Sequence, residues 1–230
     1  MNHQQHQKKI IDDIEKQIKS GSLQSSTVSP ATDFESDTRI CLTSAHFPSH
    51  ELMTYIIESI IKPLKEISPE HFYYSDKSFH ITIKNIGVIH DPPNFTPKNI
   101  KNVQKIFSET IPHHKKFKVF FYRLLLFSNN LALMGTTEPE LDNIILDLDE
   151  RLTENKVPDD KKYINSRYFF CNITLARFNS DVSQRFVKTI QELSKNVTID
   201  PYIVDSVNLI TANAVLSKLR IIETWKLRVV

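Results

Sequence analysis

The chain has 230 residues, 40% hydrophobic and 24% charged, with a formal net charge of +2. That length suits one large domain or two small ones, with a core that needs no disulfide or metal, and it excludes a disordered chain. The small charge excludes capture of nucleic acid by bulk attraction, and the presence of only three glycines argues against glycine-rich phosphate loops.

Residues 1–37 differ from the rest. Ile10, Ile11, Ile14 and Ile18 recur at helical spacing and predict one short amphipathic helix. The stretch SGSLQSSTVSPATDFESD after it predicts a polar linker. The expectation is an accessory helix on a flexible connection, with the isoleucine stripe as a docking face for a protein partner.

From residue 38 the periodicity alternates between strand and helix. RICLTSAHF predicts a strand, and HELMTYIIESIIKPL a helix whose apolar side carries Leu52, Ile56, Ile60 and Leu64. SFHITIKNIGVI is a strand pattern. Thr96-Pro97 is a good cap and first-turn pair for a helix through Ile111. FKVFFYRLLLF and LALMGTT predict two strands around a turn at Ser128-Asn129-Asn130. A helix follows through Leu141, Ile144, Leu148 and Leu152, then the strand YFFCNITLARF, then a helix from Ser180-Asp181. PYIVDSVNLI and VLSKLRIIETWKL predict two closing strands. Helices alternate with strands but hairpins interrupt, so an α+β fold of mixed or antiparallel sheets fits better than a doubly wound parallel one. Residues 38–230 read as a single domain of two lobes, because no linker divides them.

Cys41 and Cys171 each sit in an apolar segment and read as buried residues of a reducing compartment. His113-His114 reads as a surface turn. No Cys/His spacing suits a metal, and neither metal nor cofactor is expected. The N-x-T triplets at Asn94, Asn172 and Asn196 read as incidental, since residues 1–17 hold no signal-like apolar run. No apolar run suits a membrane span. The default expectation is a cytoplasmic monomer; no dense basic cluster argues for the nucleus.

Two short strands carry the chemistry. In Phe79-His80-Ile81-Thr82-Ile83-Lys84, strict alternation puts His80, Thr82 and Lys84 on one face. An imidazole beside a hydroxyl suits a phosphoryl group, which offers oxygens to grip and a proton to move. The second strand repeats the layout, with Asn172 and Thr174 on one face and Arg177 on the other unless the strand bends. Tyr168, four residues before Asn172, shares its face.

HITIKNIG and NITLARF, LALMGTTEPELDNIILDL between them and the closing KLRIIETWKL resemble the 2H phosphoesterase superfamily, which includes RNA 2′-5′ ligase-like proteins and cyclic nucleotide phosphodiesterases. The resemblance covers roughly residues 38–228. It implies a bilobal fold with two H-x-T/S motifs facing one groove. It also implies metal-free opening of 2′,3′-cyclic phosphates or related phosphodiesters, with one His as base and the other as acid. His80, Thr82 and Thr174 keep the pattern; position 172 is Asn, which relays no proton. His46, at the end of the first strand, is the candidate replacement, and Lys84, Arg177, His46 and Tyr168 are candidate phosphate or substrate ligands. Three readings stay open: a slow cyclic phosphodiesterase, a catalytically inactive module that binds nucleotides or RNA ends, and an interaction protein with a vestigial groove.

Overall fold

A computed structural model describes residues 1–23, 33–34, 36–157 and 165–229. The alternating apolar segments form strands β1 (Ile40–His46), β2 (Phe72–Tyr73), β3 (Ile81–His90), β4 (Phe117–Leu126), β5 (Asn130–Thr137), β6 (Cys171–Arg177), β7 (Tyr202–Val204), β8 (Ser206–Ala212) and β9 (Arg220–Lys226). Two sheets result, ordered β3-β1-β8-β9 and β2-β6-β5-β4-β7. All pairings between these strands are antiparallel. The fold is α+β, as the element order implied.

The helices are α1 (His3–Lys19), α2 (His50–Ile56), α3 (Lys62–Ile67), α4 (Pro97–Thr110), α5 (Glu140–Glu154) and α6 (Gln184–Lys195). A π turn, Ile57–Ile61, joins α2 to α3. It comes just before Pro63, whose missing N–H and ring interrupt an α ladder. Thr96 caps α4 in a reciprocal box with Asn99. Helix α6 begins after Ser183, whose hydroxyl accepts from the Phe186 N–H at 3.2 Å, so its start lies three residues past Ser180-Asp181. Buried residues of α2–α6 and one face of each sheet share a single large core. Gly135 lets this core close tightly: a Cβ there would sit 2.9 Å from Val119 Cγ1 and 3.1 Å from Cys171 Sγ.

Two expectations change. PYIVDSVNLI is two strands, not one. β7 pairs with β4 in the second sheet and β8 with β1 and β9 in the first, so the chain changes lobes at Asp205. His114 is buried rather than on a surface turn, with its Nδ1 3.0 Å from Glu140 Oε1.

The N-terminal helix forms where its stripe predicts, but its apolar face is covered within the chain. Ile11 and Ile14 are buried against Leu125, Ala132 and Met134, with Ile10 and Ile18 beside them. Fully buried Gln7 donates to Thr137 Oγ1 (2.8 Å) and to the Phe169 carbonyl, and its Oε1 accepts from the Thr137 N–H (2.8 Å). His3 pairs with Asp142 at 2.7 Å, and Arg123 with both Asp12 and Glu15 at 3.0 Å. The stripe is therefore not free for a protein partner. Of the expected linker, residues 24–32 and 35 lie outside the described residues. Its end belongs to the folded body: Phe34 and Asp37 are buried, and Asp37 pairs with Arg39 at 2.7 Å.

Candidate active site

The motif strands lie where the two sheets meet: among strands of different sheets, β3 and β6 make the most extensive approach. His80, immediately before β3, Thr82 on β3, and Asn172 and Thr174 on β6 are all half-buried, while Phe79, Ile81, Cys171 and Ile173 beside them are buried in the core. The alternation read from sequence holds through these residues. Among the described residues, the side chains of Thr82, Asn172 and Thr174 make no hydrogen bond. Half-buried polar groups without partners are poised to take ligand oxygens.

The His80 ring is fixed by its own backbone. Nδ1 lies 2.9 Å from the Ser78 carbonyl, an oxygen that only accepts, so Nδ1 carries the proton and Nε2 keeps a lone pair. Burial pushes this imidazole below its ordinary pKa; the Ser78 carbonyl opposes the shift and the nearby Arg177 charge adds to it. His80 is thus a neutral base at pH 7.

Beyond the motif residues each strand bulges, and the two bulges act oppositely. In β3, Ala45 pairs with Thr82 but Ser44 with Lys84, so Ile83 is an extra residue. Ala45 and Ser44 face opposite ways, so Lys84 leaves the Thr82 face. It is fully buried and ion-paired with Asp149 of α5. This corrects its reading as a phosphate ligand.

In β6, Ala132 pairs with Thr174, Leu131 with Ala176 and Asn130 with Arg177, so Leu175 is the extra residue. Asn130 and Ala132 share a face, and Arg177 thereby joins the face of Asn172 and Thr174. Strict alternation had placed it on the other. Arg177 is 9% exposed. Its Nε donates to the Tyr74 hydroxyl at 2.9 Å, and that hydroxyl donates to the Ala214 carbonyl at 2.9 Å. The chain of bonds runs from the second sheet to the loop after β8 and holds the guanidinium where its charge reaches His80. Tyr74 carried no signal in the sequence: its role depends on a partner 103 residues away.

His46 does not reach the groove. It follows Ala45 and points to the opposite face, 3% exposed. Its Nδ1 is 2.9 Å from the Ser206 carbonyl and its Nε2 2.8 Å from the Tyr202 hydroxyl, which also accepts the Ser49 N–H at 3.0 Å. Burial lowers its pKa. Both nitrogens serve the packing of β7 and β8, so His46 does not replace the missing imidazole.

Tyr168 lies under α1 instead of beside a phosphate. His6 stacks on its ring at 4.5 Å and 4°, and His3 meets it edge-on at 5.7 Å. Cross-strand partners share a face, and Met134 and Ala132 stand opposite Asn172 and Thr174. The isoleucines of α1 that cover Met134 and Ala132 therefore form an apolar wall along the groove side of the second sheet. The first sheet offers a polar wall: Asn85 Oδ1 accepts from Thr43 at 2.6 Å, and Asn208 Oδ1 accepts from Thr224 at 2.6 Å. The sequence marked the isoleucine stripe but not the surface it covers. Among the described residues no group of three or more His, Cys, Asp or Glu could hold a metal ion, and no helix is long and apolar enough to cross a membrane.

Several solved structures share this architecture. One described as a phosphoesterase is 16% identical, with a TM-score of 0.55 over 82% of this chain and 98% of its own. LigT of E. coli in apo form is 17% identical, with a TM-score of 0.55 over 83% and 99%. A protein of Thermus thermophilus, TT0787, is 12% identical, with a TM-score of 0.51 over 83% and 98%. E. coli LigT has also been solved with ATP, 3′-AMP and phosphate. No family model matches the sequence, and no curated protein matches it. At these identities the likeness defines the fold: two antiparallel sheets in the arrangement of the 2H phosphoesterases.

Proposed function

We propose that the groove between β3 and β6 binds the phosphate of a nucleotide or an RNA end, and turns over cyclic phosphodiesters slowly. The observation that carries this reading is the set of uncommitted polar groups, His80 Nε2, Thr82, Asn172 and Thr174, with the Arg177 charge beside them. Hydroxyls and a carboxamide satisfy phosphate oxygens, and a guanidinium neutralises their charge. LigT, which shares the fold, has been solved with ATP, 3′-AMP and phosphate, which supports a nucleotide as the ligand. Asn172 limits catalysis: removing a general acid or base costs roughly 10²- to 10⁴-fold in rate, while binding is retained.

The test is incubation with 2′,3′-cyclic nucleotides and a short RNA bearing a 2′,3′-cyclic end, with His80→Ala in parallel. Slow opening that His80→Ala abolishes supports the enzyme. Nucleotide binding without turnover supports the second reading, an inactive binding module, which Asn172 favours. A protein that neither binds nor turns over these ligands ends both readings.

A further inference from the structure

The groove has one proton acceptor and, among the described residues, no proton donor to partner it. The Ser78 carbonyl holds the His80 proton on Nδ1, so the nitrogen left for chemistry is a bare acceptor. Asn172 stands at the other motif position, and a carboxamide gives up no proton. Among the described residues the surroundings supply no substitute. The His46 nitrogens are taken by Ser206 and Tyr202. The Tyr74 hydroxyl donates to the Ala214 carbonyl. Arg177 contributes charge, but a guanidinium does not deprotonate in a protein. Along Asn172 and its neighbour Met134, α1 presents Ile10, Ile11 and Ile14, while Tyr168 further on is stacked on His6.

A leaving group that departs from phosphorus as a ribose or other alkoxide needs a proton as its bond breaks. One that departs as a stable anion does not. We infer that this groove, read as a phosphate site, is matched to phosphoryl substrates whose leaving group needs no proton, a nucleotide phosphoanhydride being the natural class. In the step, His80 Nε2 takes a proton from water as the water oxygen bonds to phosphorus. The bond from phosphorus to the leaving oxygen breaks, and that oxygen keeps the electron pair and departs as an anion. Arg177 stabilises the charge that develops. The imidazolium then returns its proton to solvent, so one water converts the substrate into a nucleoside monophosphate, the leaving anion and one proton.

The test uses the full chain and three probes: the p-nitrophenyl and methyl esters of thymidine 5′-monophosphate, and a dinucleoside diphosphate. Wild-type protein should hydrolyse the dinucleoside diphosphate to two mononucleotides. Its acceleration over the uncatalysed reaction should be at least about 10²-fold larger for the p-nitrophenyl ester than for the methyl ester, the usual contribution of a general acid. Asn172→His should raise methyl-ester hydrolysis roughly 10²- to 10⁴-fold while changing the p-nitrophenyl ester far less. If the variant fails to fold, the wild-type comparison decides alone. Equal acceleration of both esters, or equal gain from Asn172→His, overturns the inference. Thymidine monophosphate binding with no hydrolysis of any probe overturns it too, but leaves the phosphate-binding reading standing. Absence of binding overturns both.

Discussion

The two motif strands, β3 and β6, begin alike and end differently. Each presents two polar residues to the groove and buries the residues between them. Each then inserts one extra residue, Ile83 in β3 and Leu175 in β6. In β3 the bulge turns a cation away: Lys84 goes into the core to meet Asp149. In β6 the bulge turns a cation inward: Arg177 joins the Thr174 face, tied to Tyr74. The same device thus sets the charge of the groove from one side only. A basic residue just past a motif faces the groove in one lobe and makes a structural ion pair in the other.

Substitutions at the two cations test that asymmetry most directly. Lys84→Ala removes a fully buried side chain and strands Asp149. It should destabilise the protein by about 2–4 kcal/mol, less than a fully buried pair would cost, because Asp149 is 35% exposed. Nucleotide affinity of the folded variant should stay as it was, as calorimetric titration alongside urea unfolding will show; a large loss of affinity would place Lys84 back at the ligand.

Arg177→Met should do the reverse. Losing a charged hydrogen-bond donor to phosphate costs about 1.5–3 kcal/mol, or roughly 10- to 100-fold in affinity. Urea unfolding should show the smaller change of the two. Equal effects of Lys84→Ala and Arg177→Met on affinity would break the comparison.

Tyr74→Phe sharpens it. The variant keeps the ring but leaves Arg177 Nε without its acceptor, at about 1 kcal/mol of stability. Nucleotide affinity should fall less than in Arg177→Met, because the guanidinium stays but is held less firmly. If the two variants bind nucleotide equally poorly, Tyr74 is itself at the ligand.

The smallest effect is in the pH dependence. Burial holds His46, His71 and His80 below their ordinary pKa of 6.5. As pH falls through 6.5 the unfolded chain binds protons that the folded chain refuses, so the unfolded state gains and stability drops. The contribution is complete above 6.5 and is lost on the acid side. Thermal unfolding between pH 8 and pH 5 should show a falling midpoint, and His80→Gln should flatten part of the fall. An unchanged slope in that variant would mean that His80 binds protons alike in the folded and unfolded chain.

Much of this molecule is written in its residue pattern. The 3.6-residue spacing of α1, α4 and α5 and the two-residue alternation of the strands fix the α+β class, because apolar periodicity is a local property. The same alternation places His80, Thr82, Asn172 and Thr174 on their faces, and the carboxamide at position 172 limits proton transfer whatever the packing. Tertiary structure decided the rest. A bulge is a mismatch in residue count between two paired strands, so the opposite fates of Lys84 and Arg177 cannot be read from either strand alone. The turn of His46 toward Tyr202 and the division of PYIVDSVNLI between two sheets depend on partners distant in the chain. So does the seating of α1. Its isoleucines announce that something must cover them, but only the folded second sheet shows that the cover is the wall of the groove itself.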